Sequence, residues 1–149
     1  MLLDAGNIIL RAIGVIMDAT DKMHGNLFEF GVNLGLSFQI KDDCQDFKGD
    51  EIKIGKKKGA DIASNVITGP LLVAIKSKSN DKLLKIAQKR RLNANTDYIL
   101  RQITECNGVN VCSDISQLYN NHCFEVAKKM KLNSRNLFSI VRKASNRED

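Results

Sequence analysis

A single proline, Pro70, interrupts 149 residues. Proline fixes φ, removes an amide donor and is the strongest breaker of helix interiors, so a chain with only one is free to be helical over most of its length. The apolar residues agree. Leu27, Phe30, Leu34 and Phe38 recur at three-to-four spacing, which keeps them on one face of a helix. No stretch of any length shows the alternation of a half-buried strand. Hydrophobic residues make up 43% and charged residues 27%, a balance that fits a globular protein and excludes a disordered one. The chain is also long enough to bury a core. The expected fold class is all-α, with residues 1–149 forming a single helical domain.

Leu2–Met17 is nearly continuous in apolar residues and predicts a helix buried in the middle of a bundle. Asp18–Gly25 reads as a connection. A second helix is expected from Asn26 to about Phe47. Gly31 and Gly35 lie inside it, and each costs about 1 kcal/mol there, which suggests close approach of another helix or a ligand. Lys48–Gly59 is a polar, basic, glycine-containing loop. A helix resumes near Ala60 and runs through Thr68, is ended or kinked by Pro70, and continues over Leu71–Lys76. Asp81 is a fair N-cap for Lys82–Arg91. After a break at Asn93–Thr96 comes Asp97–Cys106, closed by Asn107-Gly108. Ser113 caps a longer helix over Asp114–Met130, and Arg135–Ala144 is the last.

The net charge is +6, which attracts phosphates of any kind. The lysines read as scattered along helices, and there is no tryptophan, so a nucleic-acid partner is not expected. Cys44, Cys106, Cys112 and Cys123 form no CxxC pair, and His122 beside Cys123 completes no familiar zinc spacing. They read as reduced, mostly buried thiols of an intracellular protein. Ile8–Met17 is far shorter than the ~20 residues that span a bilayer.

The residues that carry chemistry are Asp42, Asp43 and Asp46. On a helix Asp42 and Asp46 are i and i+4 and share a face. Like charges so placed repel unless a cation sits between them, and carboxylates at this spacing suit Mg²⁺, which takes one or two of them together with phosphate and water. Asp43 lies about a third of a turn away and is better placed to orient a ligand or a water. The glycine-lysine loop that follows offers Lys56, Lys57 and Lys58 as point charges for phosphate.

At this point a resemblance becomes specific. The run from Gly35 to Phe47, GLSFQIKDDCQDF, resembles the second aspartate-rich motif of the trans-isoprenyl (polyprenyl) diphosphate synthases. Gly55-Lys56, Gly59 and Asp61-Ile62 resemble the loop that follows it in that family. Ile67-Thr68-Gly69-Pro70 resembles the ending found in long-chain, solanesyl- and decaprenyl-type members. The likeness is strong over residues 31–70, weaker elsewhere, and corresponds to the C-terminal half of the family's fold.

The resemblance implies the C-terminal part of an isoprenoid-synthase-type helical bundle and a prenyltransferase function. Asp42 and Asp46 would hold Mg²⁺, Gln39 and Lys56 would bind the substrate diphosphate, and Asp43 and Asp61 would support them. The substrates implied are an allylic diphosphate and isopentenyl diphosphate. Homo- or hetero-oligomers are implied, as is peripheral membrane contact through the product. Mitochondrial, plastid and cytoplasmic locations are all compatible. The family's first aspartate-rich motif and its arginine pair are absent, and Asp4-Ala5 stands where the family has a lysine-threonine pair. The chain is therefore expected to be incomplete as a catalyst on its own, with no catalytic residue assigned. The other reading is a non-catalytic helical partner subunit of a hetero-oligomeric synthase.

Overall fold

The computed structural model describes residues 10, 12, 14–48, 58–77, 80–130 and 134–145. Every regular element among them is helical. They are α1 (Asp21–Lys48), α2 (Ala60–Ala63), α3 (Gly69–Ser77), α4 (Asp81–Gln88), a 3₁₀ turn at Asn93–Asn95, α5 (Thr96–Glu105), α6 (Gly108–Lys129) and α7 (Ser134–Ser145). No helix among the described residues is long and apolar enough to cross a membrane. Most of the expected Leu2–Met17 helix lies outside the described residues, although residues 14–16 are helical.

Several boundaries differ from the sequence reading, each for a local reason. α1 begins at Asp21 rather than Asn26, because Thr20 acts as its cap: Met23 N–H donates to Thr20 Oγ1 at 3.4 Å, and Asp21 favours the positive end of the helix dipole. α2 stops after Ala63 instead of reaching Thr68. Asn65 takes a left-handed conformation (φ 60), which Asn tolerates and which terminates a helix. Pro70 then opens α3 rather than ending a helix, since its missing amide costs nothing in a first turn. The cap of α4 is Asn80, not Asp81; Asn80 Oδ1 accepts Leu83 N–H at 3.1 Å. α6 starts at Gly108, well before Asp114, because Asn107 (φ 55) turns the chain in a single residue. A Cβ on Gly108 would lie 2.9 Å from the Pro70 carbonyl oxygen, so only glycine lets the starts of α6 and α3 approach this closely.

The chain forms two compact units, Met1–Gln39 with Ile115–Asp149, and Ile40–Asp114. The borders fall within α1 and α6. The first unit buries Leu27, Phe30, Cys123, Val126, Ala127, Met130 and Val141 together. Ser116 Oγ donates to the Ser37 carbonyl oxygen at 3.0 Å, so the polar pair inside this unit is satisfied. The second unit is built on Ile62, Leu71, Leu83, Leu92, Ile99 and Ile103, with Phe47 packed against them. Each such side chain contributes about 1.5–3 kcal/mol on burial. That core fixes the end of α1 and the starts of α2 and α3, the elements that carry the motif.

Candidate metal and diphosphate site

The three aspartates occupy the last two turns of α1. That is the negative end of the helix dipole, where carboxylates are unfavourable without donors. Two of the three have donors. Asp46 Oδ1 accepts Ala60 N–H at 3.1 Å and Oδ2 accepts Asp61 N–H at 3.2 Å. Its backbone oxygen accepts Gly59 N–H at 3.1 Å. The first amides of a helix have no intrahelical partner, and the N-cap residue of α2, Gly59, has no side chain to offer. Asp46 supplies the cap from the preceding helix. Gly59 adopts φ 80 to make this closure, and a Cβ there would come within 3.0 Å of Leu100.

Asp43 plays a similar part for α3. Its Oδ2 accepts Gly69 N–H at 2.7 Å, a short, charge-assisted bond. Thr68, the natural N-cap by residue type, keeps its hydroxyl buried without a partner. Asp43, Gly69 and Cys112 crowd together: a Cβ on Gly69 would meet Cys112 Sγ at 3.2 Å and Asp43 Oδ2 at 3.5 Å. The Cys112 thiol is pushed up to about 12, first by burial and then by Cys44 and Asp43 beside it.

Asp42 differs from both. It is exposed, and no hydrogen bond or ion pair to it occurs among the described residues. Gln39 sits one turn earlier on α1, within the first unit, exposed and already engaged in an interaction. Asp61 is half-buried and likewise engaged. Lys56 lies outside the described residues, as do Lys57 and the Asp4-Ala5 pair; Lys58 is exposed at the downstream end of that loop. No group of three His, Cys, Asp or Glu side chains among the described residues is arranged to hold a metal ion.

The capping roles of Asp43 and Asp46 are what sequence reasoning missed. A signal was available. Two helices begin at Gly59-Ala60 and Gly69-Pro70, and an aspartate-rich stretch just upstream is a ready source of acceptors for their free amides.

The polyprenyl synthetase family profile matches residues 7–105. The chain belongs to the polyprenyl synthetase family. It is 29% identical to heptaprenyl diphosphate synthase component 2 of Bacillus subtilis over 114 residues, covering 76% of this chain and 33% of that protein. It is 30% identical to solanesyl diphosphate synthase 3 of Arabidopsis thaliana, covering 74% of this chain and 26% of that protein. Among solved structures, an Arabidopsis medium/long-chain length prenyl pyrophosphate synthase superposes with TM-score 0.74 at 25% identity, over 92% of this chain and 48% of that one. A geranylgeranyl pyrophosphate synthase from Bacteroides thetaiotaomicron reaches TM-score 0.80 at 18% identity, a likeness of fold. The chain thus spans a third or less of these curated relatives and about half of the solved structures.

Proposed function

We propose that this chain forms the part of a trans-prenyltransferase that grips the diphosphate of an allylic substrate while isopentenyl diphosphate adds to it. The observation that carries the reading is the contrast at the end of α1. Asp46 is held by two backbone amides, while Asp42, one turn before it, is exposed.

The donor set fits magnesium. A carboxylate has about four lone-pair sites, so Asp46 can accept two amides and still offer a lone pair, and Asp42 is open. Two carboxylates, with phosphate and water completing the shell, match what Mg²⁺ takes. Bound there, magnesium would neutralise charge on the leaving diphosphate. The protein's own part is positional. Asp42 and Asp46 would hold the metal, Gln39 and Lys56 would contact the diphosphate, and Asp43, which accepts the Gly69 amide at the start of α3, and Asp61 would support them. The rest of a complete synthase would come from further chain or from a partner subunit.

Calorimetry tests the reading. Inorganic diphosphate is expected to bind more tightly with Mg²⁺ than without, because carboxylates repel phosphate until a metal bridges them. Asp42→Ala should remove that increment; equal affinity with and without Mg²⁺ in the unaltered chain sinks it. The second reading, a non-catalytic partner subunit, draws on the relative whose name marks it as one component of a synthase. Incubating the 149-residue chain alone with isopentenyl diphosphate, an allylic primer and Mg²⁺ is expected to give no long-chain product under either reading. Addition of a complete synthase would separate the two: only a partner subunit raises its output.

A further inference from the structure

The excess positive charge of this chain sits in one segment. From Lys76 to Arg91 the sequence has seven cationic residues and one acid, while the other 133 residues carry sixteen of each sign. The sequence reading of scattered lysines fails here. The structure gathers four of the seven: Lys82, Lys85, Lys89 and Arg91 line one open cleft of about 540 Å³, shared with Asp81 and Ile86.

The cleft is a formed feature of the second unit. Lys82 and Lys85 recur at helical spacing along α4 and Lys89 follows as its C-cap residue, while Leu83 and Ala87 are buried in the core. Arg90, with φ 49, turns the chain so that Arg91 N–H donates to the Ile86 carbonyl oxygen at 3.2 Å. That bond brings Arg91 to the same cleft as the lysines. Asn95 Nδ2 donates to the Arg91 carbonyl oxygen at 2.8 Å and holds the turn. Lys82 Nζ lies 4.1 Å from the centre of the Tyr98 ring, a contact that orients its ammonium. Like charges one turn apart repel. Yet no ion pair to Lys85, Lys89 or Arg91 occurs among the described residues, and all three are exposed.

We propose that the α4 cleft binds a phosphate-bearing anion, at a site separate from the aspartates of α1. Three ammonium groups and one guanidinium against the single carboxylate of Asp81 leave the cleft with three positive charges in excess and call for a ligand of several charges. A lone carboxylate would neutralise one of the three, whereas a chain or cluster of phosphoryl oxygens meets lysines as point charges and arginine as a fork. The volume is that of a small-ligand site, in the range of roughly 300–1,000 Å³. Such phosphate can be free in solution or belong to a lipid headgroup; Leu84, 41% exposed on the same helix, would meet an acyl chain only in the second case.

The test uses the full ¹⁵N-labelled chain in EDTA, so that magnesium-dependent binding at Asp42 cannot contribute. Tripolyphosphate is the free probe, and phosphatidylcholine vesicles containing phosphatidic acid are the lipid probe. Tripolyphosphate is expected to move the amide signals of residues 81–95. The triple variant Lys85→Glu, Lys89→Glu, Arg91→Glu should weaken binding about tenfold or more. A control with the same charge change elsewhere, Lys128→Glu, Lys129→Glu, Lys143→Glu, should stay within twofold. Vesicles that displace tripolyphosphate identify a lipid headgroup, and vesicles that leave it bound identify a free phosphate. Unchanged affinity in the cleft variant, equal loss in both triple variants, or tighter binding of a short RNA than of either probe would overturn the proposal.

Discussion

The acidic end of α1 and the basic face of α4 are both runs of like charge on a helix, and they resolve their repulsion in opposite ways. At α1 the chain turns inward. Asp43 and Asp46 accept amides from the starts of α3 and α2, and only Asp42 stays open. At α4 the chain leaves the charges facing a cleft, with a ring contact at Lys82 and no ion pair to Lys85, Lys89 or Arg91 among the described residues. A cluster of like charge in a sequence therefore has two readings, an internal cap or an external site. Backbone amides within reach decide between them.

The largest expected effect probes how deeply the acidic end is packed into the fold. Cys112, beside Asp43, and Cys123, in the core of the other unit, are both pushed from 9.0 up to about 12, in each case chiefly by burial. The folded state keeps these protons longer than the unfolded state does. Their contribution is therefore intact below about pH 9 and is lost as pH rises from 9 toward 12. Urea midpoints at pH 8, 9, 10 and 11 should fall progressively. Cys112→Ala and Cys123→Ala should each flatten that slope, whatever they do to stability at pH 8. A slope unchanged by both substitutions would mean that the thiols do not govern the loss.

Next in size is Asp46→Ala, which removes acceptors from two helix-initiating amides at once. Losing a cap costs about 0.5–2 kcal/mol, and leaving a partly buried donor unsatisfied costs about 1–3 kcal/mol, so about 2 kcal/mol is expected. Asp46→Asn keeps one acceptor oxygen and should fall between. Asp43→Ala breaks one bond and should cost about 1 kcal/mol. Denaturant unfolding of the three variants checks the ranking. If Asp43→Ala cost more than Asp46→Ala, the account of Asp46 as the acceptor of two helix-initiating amides would be wrong.

How much of this was legible in the sequence differs between the two regions. The i, i+4 relation of Asp42 and Asp46 needs only the helix, and the helix needs only the apolar spacing of Leu27 through Phe38. The all-α fold followed from that spacing and the single proline, and the family resemblance from residues 31–70. What could not be read was which carboxylate would be captured, because the donors lie 14 and 26 residues downstream. The aspartate-rich stretch marks a source of acceptors, but nothing local assigns each carboxylate to its helix. Boundaries failed for a related reason. Pro70 and Gly108 carry the signature of helix ends, but Pro70 sits in the first turn of α3 and the left-handed Asn107 turns the chain so that Gly108 opens α6. At α4 the charge excess was countable from the start. The cleft was not, since it depends on the left-handed turn at Arg90.

The smallest effects expected belong to the charges that the fold leaves open. Asp42→Ala and Lys85→Ala remove exposed charges with no ion pair among the described residues, so each should change stability by no more than about 0.5 kcal/mol. The sign is informative as well as the size. Lys85 stands one turn from Lys89 and close to Lys82, and like-charge neighbours at that spacing are unfavourable by about 0.2–0.5 kcal/mol. Removing Lys85 should therefore leave the helix unchanged or slightly stabilise it, more so at low salt, where screening is weakest. Asp42 stands one turn from Asp46 on α1, a like-charge pair that is unfavourable at that spacing, so its removal should act in the same direction. Unfolding midpoints at low and high salt decide the matter. A stabilisation that fades with salt marks both residues as carried at a cost to the fold, as expected of groups kept for a ligand. Destabilisation of 1 kcal/mol or more at either position would show that it is an internal tether like Asp46, and would erase the contrast between the two regions at that point.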